Sequence, residues 1–320
     1  MASGGQFAVS PDKGEGALMW PSWTPEHTRL TAALQTHAGP LPGLADPRAL
    51  DVLAWQFVAS LRRESYYRQV QAKPISADRA DPNSASFDAE RAVAYHVRQG
   101  DVDEAGWLIF LMTHFARPAD SGWRRLQDVY GRLGTGRWDW VTVSADPGAF
   151  TAWLAANWMS VGGKFGNHRK YESLRPDSNR PISAVVAAYV RWIGPGGHAR
   201  FYANVVRRTG NDPHAIYDAL YRDLRVPTFG RLAKFDYLSL IGRYGIAPIA
   251  AGSAYLQGAT GPANGARLLL DGRRDGPSSI QRLQTGLDAL DKDIGVGMAV
   301  MEDALCNWQK SPTRFIHFKG

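Results

Sequence analysis

The sequence predicts an all-α protein, a helical bundle, and three observations predict it. Apolar residues recur at helical spacing along most of the chain. Asp-Pro pairs (Asp46-Pro47, Asp146-Pro147 and Asp212-Pro213) stand at the head of three such segments. Strand-like alternation is scarce, and "WDWVTVS" is the only stretch expected to be extended.

The first long helix is the most clearly written. Leu50, Leu53, Ala54, Phe57, Val58 and Leu61 draw one apolar stripe on a helical surface. Asp46 is placed to cap it, and Pro47 fills the first helical position, where its missing N–H costs nothing. The same device opens "GAFTAWLAANWMSV" after Pro147 and "HAIYDALYRDL" after Pro213. Further helices are expected over residues 88–99, 103–115, 122–133, 182–193, 229–243 and 278–309, the last broken near Gly295 and Gly297. The Pro-, Ser- and Asp-rich stretch 73–86 is the expected boundary between a helical N-terminal portion (1–85) and a larger catalytic portion (86–320).

A formal charge of +7 points to an anionic partner. Arginine pairs supply much of it: Arg62-Arg63, Arg124-Arg125, Arg207-Arg208 and Arg273-Arg274. Guanidinium forks suit phosphates, although a solvated surface reads the same way. The single cysteine, Cys306, excludes an internal disulfide and a Cys-rich zinc site. His96, His114, His168, His198 and His214 lack ligand spacing, so no metal is expected, and no cofactor. The uncharged stretch 244–266 is too rich in Gly and Pro to span a membrane, and the N-terminus lacks a signal-peptide layout. A soluble, cytoplasmic protein is expected. The many tryptophans and tyrosines read mostly as core, with a minority suited to stacking on a planar base.

Three segments carry candidate chemistry. "KFGNHRKYESL" (164–174) packs Lys164, Asn167, His168, Arg169, Lys170, Tyr171 and Glu172 into a run without helical or strand period. "VPTFGRLAKFDYLSLIGRYG" (226–245) reads as the turn and second helix of a helix–hairpin–helix. There the backbone at Gly230 would meet a phosphate, flanked by Arg231 and Lys234. An ordinary αα-hairpin would show the same Pro and Gly. Asp236 is the lone charge in the apolar run that follows. "YLQGATGPANGARLLLDG" (255–272) is a Gly-rich turn whose Gly261 and Gly265 would allow a ligand close to the backbone, and which ends in Asp271.

These segments, in order with "FLMTHFAR", "GWRRLQDVYGRLG" and "MEDALCNWQK", resemble the α-glutamyl/putrescinyl thymine pyrophosphorylase family, its third clade above all, over roughly residues 85–310. The resemblance implies kinship with the helix–hairpin–helix DNA glycosylases and action on hypermodified bases in phage DNA. Some members are held to attach amino acids or polyamines to an activated hydroxymethyl pyrimidine. Relatives in anti-phage defence excise glucosylated hydroxymethylcytosine. Carried over by motif, Gly230 and Arg231 match the hairpin and Asp236 the helix acid. Gly261, Pro262 and Gly265 match the Gly-rich turn, and Glu302 and Lys310 the C-terminal motif. One departure stands out: "APIAAGSAYLQG" has no acid where such glycosylases carry their catalytic Asp. Asp236 and Glu172 are therefore the candidate catalytic carboxylates, with Asp271 next.

The expected function is excision of a hypermodified base from double-stranded phage DNA. Lys164, Arg169 and Lys170 would neutralise phosphates, Asn167 and His168 would read the base or its sugar, and Tyr171 would stack. A transferase that releases pyrophosphate, and a non-catalytic DNA-binding protein, are the alternatives.

Overall fold

The computed structural model describes residues 19–37 and 39–318. Among them lie fourteen α-helices joined by short 3-10 turns, and no strand forms beyond a single bridge between Ser173 and Pro181. The helices are α1 Thr24–Thr36, α2 Pro47–Ala72, α3 Ala89–Arg98, α4 Val102–Phe115, α5 Arg124–Tyr130, α6 Trp140–Ala145 and α7 Pro147–Asn157. They continue with α8 Ile182–Ile193, α9 Gly197–Thr209, α10 Pro213–Asp223, α11 Arg231–Arg243, α12 Gly261–Asp271, α13 Ile280–Ile294 and α14 Met298–Trp308. No helix among the described residues is long and apolar enough to cross a membrane.

The Asp-Pro starts behave as their chemistry dictates. Asp46, Asp146 and Asp212 each accept a first-turn backbone N–H, from Arg48 (2.9 Å), Ala149 (3.0 Å) and His214 (3.0 Å). The break expected near Gly295 and Gly297 is also present. Both glycines take positive φ, and Asp291 Oδ1 accepts the N–H groups of Val296 (2.9 Å) and Gly297 (2.8 Å).

"WDWVTVS" is a correction. It forms α6, because Asp139 caps the Thr142 N–H at 2.9 Å and so starts a helix inside the alternating stretch. Trp140 and Val143 are then buried on one helical face, while Val141 is 75% exposed. The segment expected to be helical over 122–133 is shorter too, since Arg132 and Leu133 turn to positive φ.

The chain divides into two compact units: residues up to 63 with 253–318, and residues 64–252. The 73–86 stretch lies within the second. In that unit α4 is buried on every side from Glu104 to Phe115, and α3, α5, α6, α9 and α11 pack around it. Its polar groups are met from outside the helix. Buried Glu104 accepts from the Tyr130 hydroxyl and from the Trp140 N–H (2.7 Å). Burial pushes its carboxyl up to about 7, against the pull of those two donors. Gly106 is needed for packing, since a Cβ there would lie 2.4 Å from the His198 ring. That ring sits 2.6 Å from the Tyr189 hydroxyl, which continues to Tyr237 (2.9 Å) and on to Tyr202 (2.7 Å). A fully buried hydroxyl chain thus ties α4, α8, α9 and α11 together.

In the other unit α12 packs against α13 and α14. The Trp308 indole of α14 donates to the Ala49 carbonyl of α2 at 3.0 Å.

Candidate functional site

The site is assembled in the 64–252 unit, from the loop 164–174, the connection between α10 and α11, and the end of α4. The loop enters on its apolar residue. Phe165 stacks on Phe115 (5.6 Å between ring centres) and meets His114 edge-on, with the Arg125 guanidinium covering it at 4.8 Å. Gly166 then passes so close to α4 that a Cβ would lie 2.6 Å from Ala116 Cβ, while its N–H donates to the Phe115 carbonyl at 2.9 Å. A 3-10 turn over Asn167–Arg169 follows, and every third residue, Gly166, Arg169 and Glu172, is buried while those between are exposed.

Arg169 goes inward, and only 6% of it is exposed. Its Nε donates to the His114 carbonyl (3.2 Å) and its Nη1 to the Thr228 carbonyl (2.8 Å). Nη2 donates to Thr228 Oγ1 (2.9 Å) and to His114 Nδ1 (3.2 Å). The guanidinium also lies 5.2 Å over the Phe229 ring. Burial lowers its pKa from the ordinary value, against the upward pull of Glu172 and Asp236. Arg169 is therefore a correction: its donors are taken up inside the fold, so it straps the loop to the hairpin and is not presented to a phosphate.

The hairpin supplies the other half of the strap. Between α10 and α11, Leu224, Val226 and Phe229 are buried, and Phe229 stacks on Phe110 at 5.3 Å. Thr228 takes φ +66°, uncommon for a side chain branched at Cβ, and offers both its oxygens to Arg169. Gly230 caps α11 with extended backbone and is exposed with open space around it. Arg231 is half-buried over the Phe235 ring (4.9 Å). Lys234 is a second correction. Its ammonium donates to the Tyr221 carbonyl (3.1 Å) in the last turn of α10, where helix carbonyls lack partners, and so bridges the two helices of the hairpin.

Two carboxylates share the Arg169 field. Glu172, 9% exposed, holds Oε1 at 3.7 Å from Arg169 and 3.6 Å from Arg180, while Oε2 has no hydrogen-bond partner among the described residues. Asp236, half-buried on α11, acts on Arg169 and on Arg243, which pairs with Glu64. His114 completes the group. Burial holds its imidazole well below the ordinary 6.5, helped by the Arg169 charge, so the ring is neutral at pH 7. A guanidinium only donates, so Nδ1 accepts and the ring proton sits on Nε2. That buried N–H has no partner among the described residues.

Five residues of the loop, Lys164, Asn167, His168, Lys170 and Tyr171, face solvent. Lys164 pairs with Asp120 at 2.7 Å, Asn167 and His168 are exposed, and the Lys170 ammonium lies 5.1 Å over the ring of Tyr171, itself 74% exposed. The structure thus brings Arg169, Glu172 and Asp236 together, with a cationic, amide-bearing and phenolic face on the outer side of the same loop. Residue-level reading missed His114 and Thr228. Their signals are a histidine just past the end of the apolar run 105–112 and a threonine between Pro227 and Phe229.

Gly261 and Gly265 are a third correction. A Cβ on Gly265 would lie 2.3 Å from the Leu305 carbonyl oxygen, and one on Gly261 2.6 Å from Cys306 Sγ. Both let α12 approach α14, and no room for a ligand results. Asp271 is likewise committed, accepting from the Ser278 hydroxyl (2.6 Å) and N–H (3.1 Å). No group of three or more His, Cys, Asp or Glu able to hold a metal occurs among the described residues.

Comparison with known families decides the ancestry of this arrangement. The family model described as alpha-glutamyl/putrescinyl thymine pyrophosphorylase clade 3 matches residues 48–320. The chain belongs to this family. The match takes in the whole of the loop, the hairpin and α11, so the strap and both carboxylates lie inside the clade 3 region. No curated protein and no solved structure matches the chain.

Proposed function

We propose that this clade 3 protein is a DNA glycosylase that hydrolyses the N-glycosidic bond of a hypermodified pyrimidine, such as glucosylated hydroxymethylcytosine, in phage DNA. One observation carries the reading: Glu172, with an unpartnered buried oxygen, and Asp236 share the field of a buried arginine beneath a donor-rich loop. As the C1′–N bond breaks, positive charge develops on the sugar, and a carboxylate beside Arg169 opposes that charge. The second carboxylate takes a proton from the water that adds its hydroxyl to C1′, and passes that same proton to the departing base. The products are the free base and an abasic site. Everting the base costs a few kcal/mol. Lys164 and Lys170 on phosphates would offset part of it, Asn167 and His168 would bond the sugar adornment, and Tyr171 would stack.

The family description favours a second reading, transfer onto an activated hydroxymethyl pyrimidine with loss of pyrophosphate. That chemistry needs cations at the leaving group. Arg169 and Lys234, two of the cations best placed in sequence, are engaged internally, which supports the glycosylase. The test is to incubate the protein with glucosylated, hydroxymethylated and unmodified DNA of one sequence and to identify released small molecules by mass spectrometry. Free modified base from glucosylated DNA alone is expected. Released pyrophosphate on activated substrate would install the transferase instead, and no product from any DNA would leave a binding protein.

A further inference from the structure

The unit formed by residues up to 63 and 253–318 carries a cavity of about 860 Å³, open to solvent, whose lining is strongly cationic. Arg267 projects from α12, Arg273 and Arg274 from the turn after it, and Lys310 from the end of α14, with Asp275 the one carboxylate in the lining. Asn264 and Gln309 add amides.

The turn that presents the two arginines is built to a fixed shape. Gly272 closes α12 in the left-handed region, and the Asp271 carboxylate holds Ser278. Gly276 passes so near Asp271 that a Cβ would lie 2.2 Å from its Oδ2. Arg267, Arg274 and Lys310 are apart in sequence, and α12, this turn and the end of α14 bring them to one lining.

Internal demand does not use up this charge. Arg274 donates to the Gln309 carbonyl at 3.4 Å, Arg273 lies 3.9 Å from Asp275, and Lys310 donates to Asn307 Oδ1 at 2.9 Å. Arg267 has no carboxylate partner among the described residues. A helix C-terminus carries roughly half a negative charge, so the ends of α12 and α14 together with Asp275 still leave the cations in excess. A concave surface lined by one sign of charge concentrates counter-ions, and guanidinium forks with neighbouring amides match tetrahedral oxyanions.

We propose that this cavity is a second, phosphate-binding site, separate from the Arg169–Glu172–Asp236 group, taking either a free polyphosphate or a phosphate of the DNA backbone. The test uses the full chain with inorganic pyrophosphate and with a short unmodified duplex, comparing wild type with Arg267→Gln and Arg274→Gln. Neither probe carries a modified base, so the outcome does not depend on whether base is released. If the ligand is a free polyphosphate, wild type binds pyrophosphate and each substitution weakens that binding about tenfold, the loss of one charge-assisted contact. If it is the backbone, pyrophosphate fails, and each substitution lowers the salt slope of duplex binding by about one. Circular dichroism checks that the variants fold, and the charge-preserving Arg274→Lys should recover part of the binding. Wild-type affinity of both variants for both probes, or failure of wild type to bind either, overturns the proposal.

Discussion

The loop 164–174 and the Gly-rich stretch 255–272 attract attention in the sequence for related reasons, and the fold uses them in opposite ways. The loop keeps its polar groups in play, dividing them between a buried strap at Arg169 and an exposed face at Lys164, Asn167, His168, Lys170 and Tyr171. The Gly-rich stretch spends its glycines on backbone, with Gly265 against the Leu305 carbonyl and Gly261 against Cys306. A missing Cβ permits close approach of anything, whether ligand or neighbouring helix. Only the identity of the neighbour separates the two uses.

The sharpest way to break this contrast is at the carboxylates. Glu172→Gln and Asp236→Asn are each expected to lower base release by a factor on the order of a thousand or more, the scale of losing one transition-state charge partner. Duplex affinity should stay near wild type for both; Asp236→Asn should keep the melting temperature as well, whereas Glu172→Gln removes the buried partner of Arg169 and should lower it, so base release is compared per folded molecule. Base release at wild-type rates from both variants would remove the loop from the chemistry.

Arg169→Ala comes next, and its effect is on folding. It removes a buried cation with four hydrogen bonds and leaves Glu172 without its inward partner. Breaking such a pair costs about 3–5 kcal/mol, to be read from denaturant midpoints. A change under about 1 kcal/mol would show that water replaces the guanidinium and that the strap is dispensable.

Gly265→Ala measures the other segment. Forcing a methyl into the α12–α14 contact should cost about 1–3 kcal/mol, with base release per folded molecule unchanged. A variant as stable as wild type but defective in turnover would mean that the glycine face of the stretch, and not only Asn264 and Arg267, meets a ligand.

The smallest effect is expected on the outer face. Lys170→Ala should leave stability within about 0.5 kcal/mol and reduce the salt slope of DNA binding by about one counter-ion. An unchanged slope would confine the DNA contact to other cations.

Helix starts and stops were legible because local chemistry sets them: Asp46, Asp146 and Asp212 each reach N–H groups two or three residues on. "WDWVTVS" was misread because Trp138 and Trp140 alternate with polar or exposed neighbours, and a cap at Asp139 outweighs so short a pattern. Asp236 and Glu172 could be singled out as carboxylates in unusual company. That they share one guanidinium could not, since no spacing in the sequence relates them.

The sequence by itself determined an all-helical chain, its capped boundaries, its basic balance and the family to which it belongs. The first three rest on composition or on contacts within about one helical turn, and the family on the likeness of its motifs in order. The tertiary structure alone decided which cations face solvent and which are consumed. Arg169 is bound by residues 55 and 59 positions away, and Lys234 by a carbonyl 13 positions away. Burial then settles the matter physically, because a cation withdrawn from water must find acceptors inside the fold, and those acceptors are no longer available to anything else.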